Sequence, residues 1–469
     1  MSTASTGWLW WNLLFGTGHV VLAALASGHA LLRKRDPRSA FGWIGVCWLL
    51  PYAGVAIYAL FGINRVETRG RRLHGLSADR PAQLPTHYDE LPLTQLQRLG
   101  GAVSGMPLLG GNTVEPLLDG EQAYPAMLDA IADAQASVWL SSYIFDTGGK
   151  CRPFLDALCA AHERGVQVRV LVDGFGEFYS PVRAVVRLRR CGVTAARFLP
   201  PRVLPPSLSL NLRNHRKLLI VDGNIGFAGG MNIANCQLAG KHGPRVHDLH
   251  FRLRGPVVIQ LATAFQRDWA FATDESLTLP EPPSQVGDAR CRVITDGPDE
   301  DIDKLMLVLL SAISTAHRYV RIMTPYFLPP RELAAALQSA ALRGVRVEII
   351  LPARSNLRFV DWASRHALTE SLYRGVDIRL DPPPFAHIKL LVVDGIYAMI
   401  GSANLDPRSL RLNFELGVEV YDETLCQQLG ALFEHHRDRS QPLDAVALQQ
   451  RSLPARLRDG LSWLFSPYL

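Results

Sequence analysis

The chain has 469 residues, of which 48% are hydrophobic and 20% are charged. This length exceeds that of one small domain, and the apolar fraction excludes a disordered or low-complexity protein. Lysine and arginine outnumber aspartate and glutamate by 49 to 43, an excess that permits an anionic partner but does not indicate nucleic-acid binding. Seven scattered cysteines without a C-x-x-C motif exclude a disulfide-rich scaffold and a recognisable zinc site, and they fit a reducing compartment.

Two uncharged stretches lie at the start of the chain. Residues 1–32 and 39–64 contain no Asp, Glu, Lys or Arg, and each is longer than the roughly 20 residues that a helix needs to cross a bilayer. We predict a two-helix transmembrane hairpin over residues 1–65, which makes the protein multi-pass. A cleavable signal peptide is the alternative, because residues 24–26 resemble a cleavage site. Against it, no positive charge precedes the first stretch, and a second stretch follows immediately.

The charges around this hairpin do not decide its orientation. The first stretch is followed by Arg33, Lys34, Arg35 and Arg38, and four more arginines follow the second stretch before residue 73. The positive-inside rule therefore supports both orientations almost equally. A hairpin puts the N-terminus and the large C-terminal part on one side, and the cysteines favour the cytoplasm for that part.

The rest of the chain reads as a linker followed by a duplication. Residues 66–113 are rich in Gly, Pro and polar residues and are predicted to be a linker. A helix, a strand, a helix and a strand then follow in the same order within residues 114–285 and again within 286–469. The predicted elements are residues 123–134, 137–145, 154–163 and 165–172, and then 303–316, 319–327, 332–342 and 344–351. This alternation predicts two fused α/β domains and not a solenoid.

The most specific repeated motif is a histidine and a lysine two positions apart, followed by an apolar run and Asp-Gly. Its residues are His215, Lys217 and Asp222 in the first copy and His387, Lys389 and Asp394 in the second. Alternate side chains of a strand point the same way, so each histidine and its lysine are predicted to share a face. Each Asp-Gly predicts a hairpin turn, after which Asn232 and Asn404 follow their histidines by 17 positions.

These residue types suit attack on a phosphodiester. The substrate is an anion, so its oxygens need cationic and hydrogen-bond-donating partners, for which the two lysines, Asn232, Ser402 and Asn404 are the candidates. One histidine can attack phosphorus and form a covalent intermediate, while the other protonates the leaving alcohol and deprotonates the incoming one. We predict that no metal or other cofactor is needed.

Each of these assignments has a simpler alternative. A single H-x-K pair is commonly incidental, but two copies with matched turns and matched asparagines argue against that origin. The aspartates of the motifs, Asp222 and Asp394, suit turn or support roles better than direct catalysis. Asp248 and Glu415 are candidates for orienting the histidines, since a catalytic imidazole needs a carboxylate that fixes its tautomer. For Asp248, a solvated surface acid is the alternative.

The C-terminal residues combine arginines with apolar residues at helical spacing. They are Arg451, Arg456 and Arg458 together with Leu457, Leu461, Leu464 and Phe465. A basic amphipathic helix at a lipid surface has this pattern, and so does a helix that packs its apolar side on the domain. The sequence leaves both interpretations open.

The two H-x-K-x4-D motifs with a trailing Gly-Gly/Ser-x-Asn resemble the phospholipase D superfamily. More narrowly, residues 211–217 and 404–415 are similar to bacterial-type cardiolipin synthases, as are the N-terminal hairpin and residues 252–256 and 464–467. The resemblance covers nearly the whole chain. It implies two α/β domains related by a pseudo-twofold axis around one shared site, with His215 as the nucleophile and His387 as the general acid and base.

The resemblance also implies partners for these groups and a reaction. It assigns Glu415 to the histidine of the second copy and Asp248 to that of the first. Gly230 occupies the position that Ser402 has in the second copy, which predicts a weaker phosphate clamp in the first. The implied reaction transfers a phosphatidyl group from one phosphatidylglycerol to another and releases glycerol, in the cell membrane, with cytoplasmic catalytic domains.

Other activities are compatible with the same motifs. They are a phospholipase D-type hydrolase, another phosphatidyltransferase, a phosphodiester nuclease and an inactive membrane scaffold. The nuclease is disfavoured because no basic runs with interleaved aromatic residues occur, so we predict no nucleic-acid partner. The sequence leaves the oligomeric state open.

Overall fold

The computed structural model describes residues 3–34, 37–63, 92–180, 182–201, 212–238, 246–298, 301 and 303–466. Most of the predicted linker, and the arginines that follow the second uncharged stretch, lie outside the described residues. Contacts between Cα atoms divide the chain into two compact units. One comprises residues 1–69 and 201–211, and the other comprises residues 70–200 and 212–469.

The N-terminal unit contains one helix that is long and apolar enough to cross a membrane. Helix α1 covers Thr3–Arg33, and its part Trp11–Arg33 is the only such segment among the residues that the structure describes. Helix α2, Pro37–Leu49, has 13 residues. At 1.5 Å per residue it is about 20 Å long, which is shorter than a hydrocarbon core of about 30 Å. The prediction of a second membrane-crossing helix is therefore not met.

The second uncharged stretch instead reverses direction after α2. Pro51 has no N–H with which to continue the helix, and Tyr52 has a positive φ of 57°. Helix α3, Ala53–Ile57, and a π-helical turn, Tyr58–Gly62, follow this break.

The returning segment packs against α2. The Cys47 thiol donates to the Gly54 carbonyl at 3.8 Å, and the rings of Trp43 and Tyr58 lie 5.3 Å apart. A Cβ atom on Gly54 would lie 2.1 Å from the Val46 carbonyl oxygen, so only glycine allows this close approach. Residues 37–62 therefore form a short helical hairpin of their own.

The larger unit contains both predicted copies of the α/β unit. Its elements before residue 285 are α4 (Pro92–Ser104), β1 (Leu109–Leu118), α5 (Asp119–Asp133), β2 (Ser137–Ser142), α6 (Arg152–Glu163), β3 (Gln167–Asp173), α7 (Ala184–Arg190), β4 (Thr194–Phe198), β5 (Leu218–Val221), β6 (Ile225–Gly229), β7 (Val246–His247), β8 (Leu249–Arg254) and α8 (Val257–Thr273).

The second copy repeats the main strands and helices in this order, with its short strand before the hairpin and additional elements towards its end. Its elements are β9 (Ala289–Asp296), α9 (Lys304–Ser314), β10 (Tyr319–Met323), α10 (Arg331–Leu342), β11 (Arg346–Pro352), α11 (Arg358–Tyr373), β12 (Asp377–Asp381), β13 (Phe385–Ala386), β14 (Leu390–Val393), β15 (Tyr397–Gly401), α12 (Pro407–Arg411), β16 (Glu415–Tyr421), α13 (Glu423–Arg439), β17 (Gln441–Pro442), α14 (Ala445–Gln449) and α15 (Leu453–Leu464).

One sheet of fifteen strands runs through both copies. Its order is β4-β3-β2-β5-β6-β8-β1 in the first part, continued by β9-β16-β15-β14-β10-β11-β12-β17. Strands β2, β3 and β4 are parallel to one another, as are β10, β11 and β12, while the other neighbours are antiparallel. The matching strand order confirms the duplicated α/β fold, and the pairing of β1 with both β8 and β9 joins the two copies.

Each copy has its own apolar core, to which the predicted linker segment contributes. Leu96 of α4 is buried among the second-copy residues. Asn112 of β1 donates to the Ala289 carbonyl at 3.0 Å and accepts the Val257 N–H at 2.8 Å, which fixes β1 between the copies. Residues 92–113 thus form ordered parts of the larger unit.

One cysteine pair differs from the expectation of reduced thiols. Cys159 on α6 and Cys191, which directly follows α7, form a disulfide, and the other five cysteines are free. A single disulfide is consistent with the exclusion of a disulfide-rich scaffold. The argument from the cysteines for a reducing compartment, however, is wrong for this pair.

The aspartates of the two motifs support the sheet at the end opposite the histidines. Asp222 accepts three backbone N–H groups at 2.8–2.9 Å, and Asp394 accepts three at 2.8 Å. The donors are Gln135, Ala136 and Ser137 for the first and His317, Arg318 and Tyr319 for the second. Seven residues of extended chain separate each aspartate from its histidine by roughly 20 Å. We therefore expect both aspartates to support the fold and not to act as catalytic residues, which agrees with the role that the sequence analysis favoured.

Replacing Asp222 by alanine is expected to destabilise the fold without removing a catalytic group. Three N–H donors lose a charged acceptor, which should lower the free energy of unfolding by roughly 2–4 kcal/mol. We expect a lower thermal unfolding midpoint and an unchanged kcat for the protein that remains folded. Asp222→Asn keeps one carbonyl acceptor and should lower the free energy of unfolding by less than Asp222→Ala. A loss of kcat at an unchanged unfolding midpoint would contradict the support role.

Candidate active site

The two H-x-K segments are extended chain directly before their strands, not part of them. Strands β5 and β14 begin three residues after His215 and His387. Each segment is hydrogen-bonded to the other copy: the His215 N–H donates to the Phe414 carbonyl at 2.9 Å, and the His387 N–H donates to the His247 carbonyl at 2.6 Å. Phe414 and His247 directly precede the two acids that the sequence singled out. These bonds therefore bring each histidine to the acid of the other copy.

The histidine–acid pairs cross between the copies. Nδ1 of His215 lies 2.9 Å from Oε1 of Glu415, and Nδ1 of His387 lies 2.8 Å from Oδ2 of Asp248. Both acids are fully buried, which excludes a solvated surface role for Asp248. The sequence interpretation had assigned each acid to the histidine of its own copy, and this is wrong. The acids were correctly selected, but the backbone pairing between copies exchanges their partners.

Burial keeps both imidazoles neutral. It lowers the pKa of His387 to about 4, with help from the Lys389 ammonium and against the attraction of Asp248. Burial also lowers the pKa of His215, while Glu415 opposes this shift. With Nδ1 bound to a carboxylate, Nε2 of each neutral ring is the nitrogen that can take phosphorus or a proton. Nε2 of His387 lies 2.9 Å from Nζ of Lys389, so this ammonium must turn away before the nitrogen carries a proton.

The two lysines belong to one electrostatic environment. Their Nζ atoms donate to the carbonyl of the histidine in the same motif, at 2.6 Å for Lys217 and 2.7 Å for Lys389. Burial lowers the pKa of Lys217 to about 7 and that of Lys389 to about 8, although the two acids oppose both shifts. Lys389 also lowers the pKa of His215, and Lys217 that of His387, so the motifs act on each other.

Ser402 contacts an acid and not the open site. Its Oγ donates to Oε2 of Glu415 at 2.5 Å and accepts the Leu416 N–H at 3.0 Å. Asn413, which the sequence did not single out, donates to the other carboxylate oxygen at 3.1 Å. The assignment of Ser402 to phosphate binding is therefore corrected, because its hydroxyl hydrogen is committed to holding Glu415.

The glycine at the matching position of the first copy has a steric cause. A Cβ atom on Gly230 would lie 2.4 Å from Oδ1 of Asp248. No side chain fits there unless the carboxylate moves away from its histidine. The backbone N–H of Leu249 supplies Asp248 with a donor at 2.9 Å instead. The glycine thus reflects room for the acid, not a weaker phosphate clamp.

The two asparagines occupy equivalent positions with different contacts. Oδ1 of Asn232 accepts the Ile144 N–H at 3.3 Å. Nδ2 of Asn404 donates to Ser409 Oγ at 3.2 Å, and its Oδ1 is buried without a partner within the described part of the chain. A half-turn of the Asn404 amide would let Ser409 donate to Oδ1 and would free Nδ2 for a phosphate oxygen.

A known protein family matches both copies of this site. The family model described as the phospholipase D-like domain of cardiolipin synthase matches residues 127–269 and 309–437, more than half of the chain. The chain belongs to the cardiolipin synthase family. A second family model, described as the phospholipase D-nuclease N-terminal region, matches residues 21–62.

Full-length relatives agree with this assignment. A cardiolipin synthase of Oceanobacillus iheyensis is 30% identical, over 98% of this chain and 99% of its own. Cardiolipin synthase A of Pseudomonas aeruginosa is 33% identical, over 93% and 91%, and the major cardiolipin synthase ClsA of Bacillus subtilis is 31% identical, over 93% and 95%. A solved phosphatidylserine synthase of Haemophilus influenzae shares the fold, with a TM-score of 0.62 at 16% identity over 80% of this chain and all of its own.

Two tyrosines beside the histidines of this cardiolipin synthase-family site were missed by the sequence interpretation. The ring of Tyr143 lies 5.3 Å from that of His215, and the ring of Tyr326 lies 6.4 Å from that of His387. Burial raises the pKa of both phenols above the usual value, so they stay neutral. Each follows the second strand of its copy, β2 or β10, and this matched position is the sequence signal that could have identified them.

Arg216, the central residue of the first motif, was also missed. Its guanidinium is buried against Asp268 at 2.5 Å and donates to the backbone carbonyls of Glu415 and Asp296 at 2.9 and 3.1 Å. The second motif has Ile388 at this position. The two bonds to backbone carbonyls thus tie the first motif to the second copy, while the ion pair with Asp268 holds Arg216 within its own copy. Together they break the twofold symmetry of the site.

The lowered lysine pKa values predict a pH-dependent affinity for anionic substrate. Below pH 7 both ammonium groups are charged, and as the pH rises through 7–8 the empty site loses these protons. The KM for a soluble short-chain phosphatidylglycerol should then rise ever more steeply, approaching about a hundredfold per pH unit well above pH 8, since binding must restore two protons. Steady-state kinetics from pH 6 to 9.5 measure this. Lys217→Arg and Lys389→Arg keep their charge and should flatten the slope, whereas a pH-independent KM in the unmodified protein contradicts the prediction.

Proposed function

We propose that this protein is a cardiolipin synthase that transfers a phosphatidyl group from one phosphatidylglycerol to another and releases glycerol. One observation carries the proposal: two histidine–carboxylate pairs, each formed across the two copies, flank a pair of buried lysines. The full-length relatives that bear this name support the choice of lipid substrate. No nucleic-acid substrate is expected.

In the first step, Nε2 of His215 attacks phosphorus. A P–N bond forms, the P–O bond to glycerol breaks, and the proton on His387 goes to the departing alkoxide oxygen. The choice of His215 as the nucleophile follows the family resemblance. Glu415 accepts the Nδ1 hydrogen of His215 and stabilises the positive charge that develops on the ring as it attacks.

In the second step, the terminal hydroxyl of another phosphatidylglycerol attacks the phosphohistidine. Its proton goes to His387, the P–N bond breaks, and cardiolipin leaves with His215 regenerated. Lys217, Lys389, Asn232 and Asn404 donate to the phosphate oxygens in both steps.

The acid role of His387 depends on bound substrate. In the empty site two ammonium groups and burial hold its pKa at about 4. A phosphodiester anion between the lysines offsets their charge and raises the proton affinity of the ring. Transfer is favoured over hydrolysis where water is excluded, and only 13% of each histidine side chain is exposed.

The decisive experiment follows both products. Purified full-length protein is incubated in mixed micelles with phosphatidylglycerol that carries separate labels in its acyl chains and its terminal glycerol. We expect cardiolipin and free glycerol in equal amounts, and neither with His215→Asn or His387→Asn. Phosphatidic acid as the sole lipid product would make the protein a hydrolase.

We further infer that α1 crosses the cell membrane and that residues 37–62 enter the bilayer and return to the side that they entered from. The Tyr52 hydroxyl, at the turn, donates to the Phe15 carbonyl at 2.6 Å, near the far end of α1. The Tyr58 hydroxyl, on the returning segment, lies 2.7 Å from Nδ1 of His29, near Arg33. The chain therefore returns to the end of α1 at which it started.

This path supports one of the two orientations that the charges of a two-crossing hairpin left open. Arg33–Arg38 and the four arginines after residue 64 then follow segments that end on the same side. The positive-inside rule assigns that side, and with it the catalytic unit, to the cytoplasm. The N-terminus is then external, in contrast to the hairpin predicted from the sequence.

Cysteine labelling in intact cells measures this orientation. In a Cys236→Ser background, Thr3→Cys should react with an impermeant maleimide in intact cells. Glu370→Cys, an exposed position of the catalytic unit, should react only after lysis. Protection of both positions until lysis would instead favour two complete crossings.

A further inference from the structure

The C-terminal helix α15 packs on α11 with its polar side. Asp459 and Ser462 are buried on this side, and the ring of Trp463 lies 5.0 Å from that of His366. A Cβ atom on Gly460 would lie 3.7 Å from the same imidazole. The small and polar residues of the helix thus make its contact with the domain.

The leucines of α15 face away from the domain. Leu457, Leu461 and Leu464 are 58%, 61% and 65% exposed, and Leu453 is 65% exposed. This reverses the usual arrangement, in which an amphipathic helix buries its apolar residues. Of the two interpretations that the sequence left open, packing of these leucines on the domain is wrong. A contiguous exposed apolar face of this kind marks an interaction surface.

The exposed face continues towards the second-copy histidine. The ring of Phe465 lies 5.7 Å from that of Phe359, which is itself 40% exposed. Asn356, three residues before Phe359 in the loop that leads to α11, accepts a hydrogen bond from the Tyr326 hydroxyl at 2.7 Å. Tyr326 is the ring beside His387. Two side-chain contacts, joined by the backbone of residues 356–359, therefore connect α15 with the site.

The first copy also has exposed aromatic residues close to its histidine. Phe178 and Tyr179 are 54% and 62% exposed, and the Tyr179 ring lies 6.1 Å from Tyr143, the ring beside His215. Tyr179 also contributes to the raised pKa of Tyr326 in the second copy, so the two phenols lie near each other. Exposed apolar residues thus border the site in both copies.

The charge next to this face is positive. Arg354, Arg358 and Arg456 are exposed around it. The acid of α15, Asp459, is buried and paired with Arg451 and Arg458. Apolar residues bordered by arginines match an anionic phospholipid surface, in which acyl chains lie below negatively charged phosphates.

We propose that this interfacial face, defined by Leu357, Phe359, Leu457, Leu461, Leu464 and Phe465, docks the catalytic unit on an anionic bilayer. Phe178 and Tyr179 form the opposite border of the docked site. The face works in addition to the N-terminal helix, and it brings lipid headgroups to His215 and His387 without removing the lipid from the membrane. The inference rests on the proposed function, since it takes phospholipid headgroups as the substrate.

The test compares vesicle-bound with monomeric substrate. In full-length protein, Leu457→Gln with Leu461→Gln should lower the rate on phosphatidylglycerol vesicles by roughly tenfold, because two side chains no longer enter the apolar phase. The rate on a soluble short-chain phosphatidylglycerol should not change. Leu342→Gln is the matched control: it alters an exposed leucine at the end of α10, before β11 begins, which is the end of the parallel strands opposite Tyr326, and it should leave both rates unchanged. An unchanged vesicle rate in the double variant overturns the proposal.

A structural readout separates this inference from the proposed function. A nitroxide is attached at Leu461→Cys or Leu342→Cys in a Cys236→Ser background, and the protein is placed in phosphatidylglycerol vesicles. The label at 461 should be accessible to oxygen and protected from an aqueous nickel chelate, while that at 342 should be open to the chelate. If the wild type forms no cardiolipin from either substrate, the proposed function fails. The docking on the bilayer is then tested by the depth of the label at position 461 alone. Equal chelate access at both positions then overturns the docking.

Discussion

Replacing His215 by asparagine should abolish the phosphatidyl-enzyme and lower kcat by about 10⁴-fold or more, since removing a nucleophile removes the covalent route. Asparagine keeps a side chain of similar size and polarity at a buried position. The intermediate is trapped by rapid quenching into alkaline denaturant, which preserves phosphohistidine, and its site is located by mass spectrometry of peptides. In the wild type we expect the phosphatidyl group on the peptide that contains His215.

Replacing the other histidine, His387, should have a different effect on the intermediate. His387→Asn removes the proton donor but not the nucleophile, so turnover should fall by about 10²–10⁴-fold while the label still reaches His215 slowly. The nearly twofold arrangement of the site makes the opposite assignment chemically equivalent. Label on the His387 peptide would therefore reverse the roles of the two rings while leaving the shared site intact.

Removing the charge of Glu415 or of Asp248, the acids that pair with the histidine of the other copy, should also lower kcat strongly. Glu415→Gln and Asp248→Asn keep the shape of the side chain but lose the charge that stabilises an imidazolium, which should lower kcat by about 10³–10⁴-fold. Glu370→Gln, at an exposed glutamate of α11, should leave kcat unchanged. Circular dichroism verifies that all three variants fold.

The crossing itself is tested by observing the histidines. In ¹⁵N-histidine NMR spectra, Glu415→Gln should shift the ring resonances of His215 and leave those of His387 in place. Asp248→Asn should do the reverse. If each acid instead perturbs the histidine of its own copy, the assignment that the sequence suggested is restored and the crossed geometry is wrong.

Much of the larger unit was predictable because its signals are local. The predicted helix over residues 332–342 corresponds to α10, and the strand over 344–351 corresponds to β11, since apolar periodicity and a preceding glycine act within a few residues. The duplicated Asp-Gly turns after β5 and β14 were predicted for the same reason. The second uncharged stretch was predicted wrongly as one membrane-crossing helix. Its hydropathy shows a long apolar segment but gives no sign that the chain reverses direction at Pro51 and Tyr52.

The sequence by itself determined the two motifs, the two acids and the duplication, because residue type and spacing carry that information. Only the tertiary structure decided which acid serves which histidine, since that depends on backbone pairing between segments about 140–200 residues apart. It also decided that Ser402 holds Glu415 and that the α15 leucines face outward. An amphipathic pattern identifies an apolar face, but the direction of that face is set by what the other side of the helix packs against.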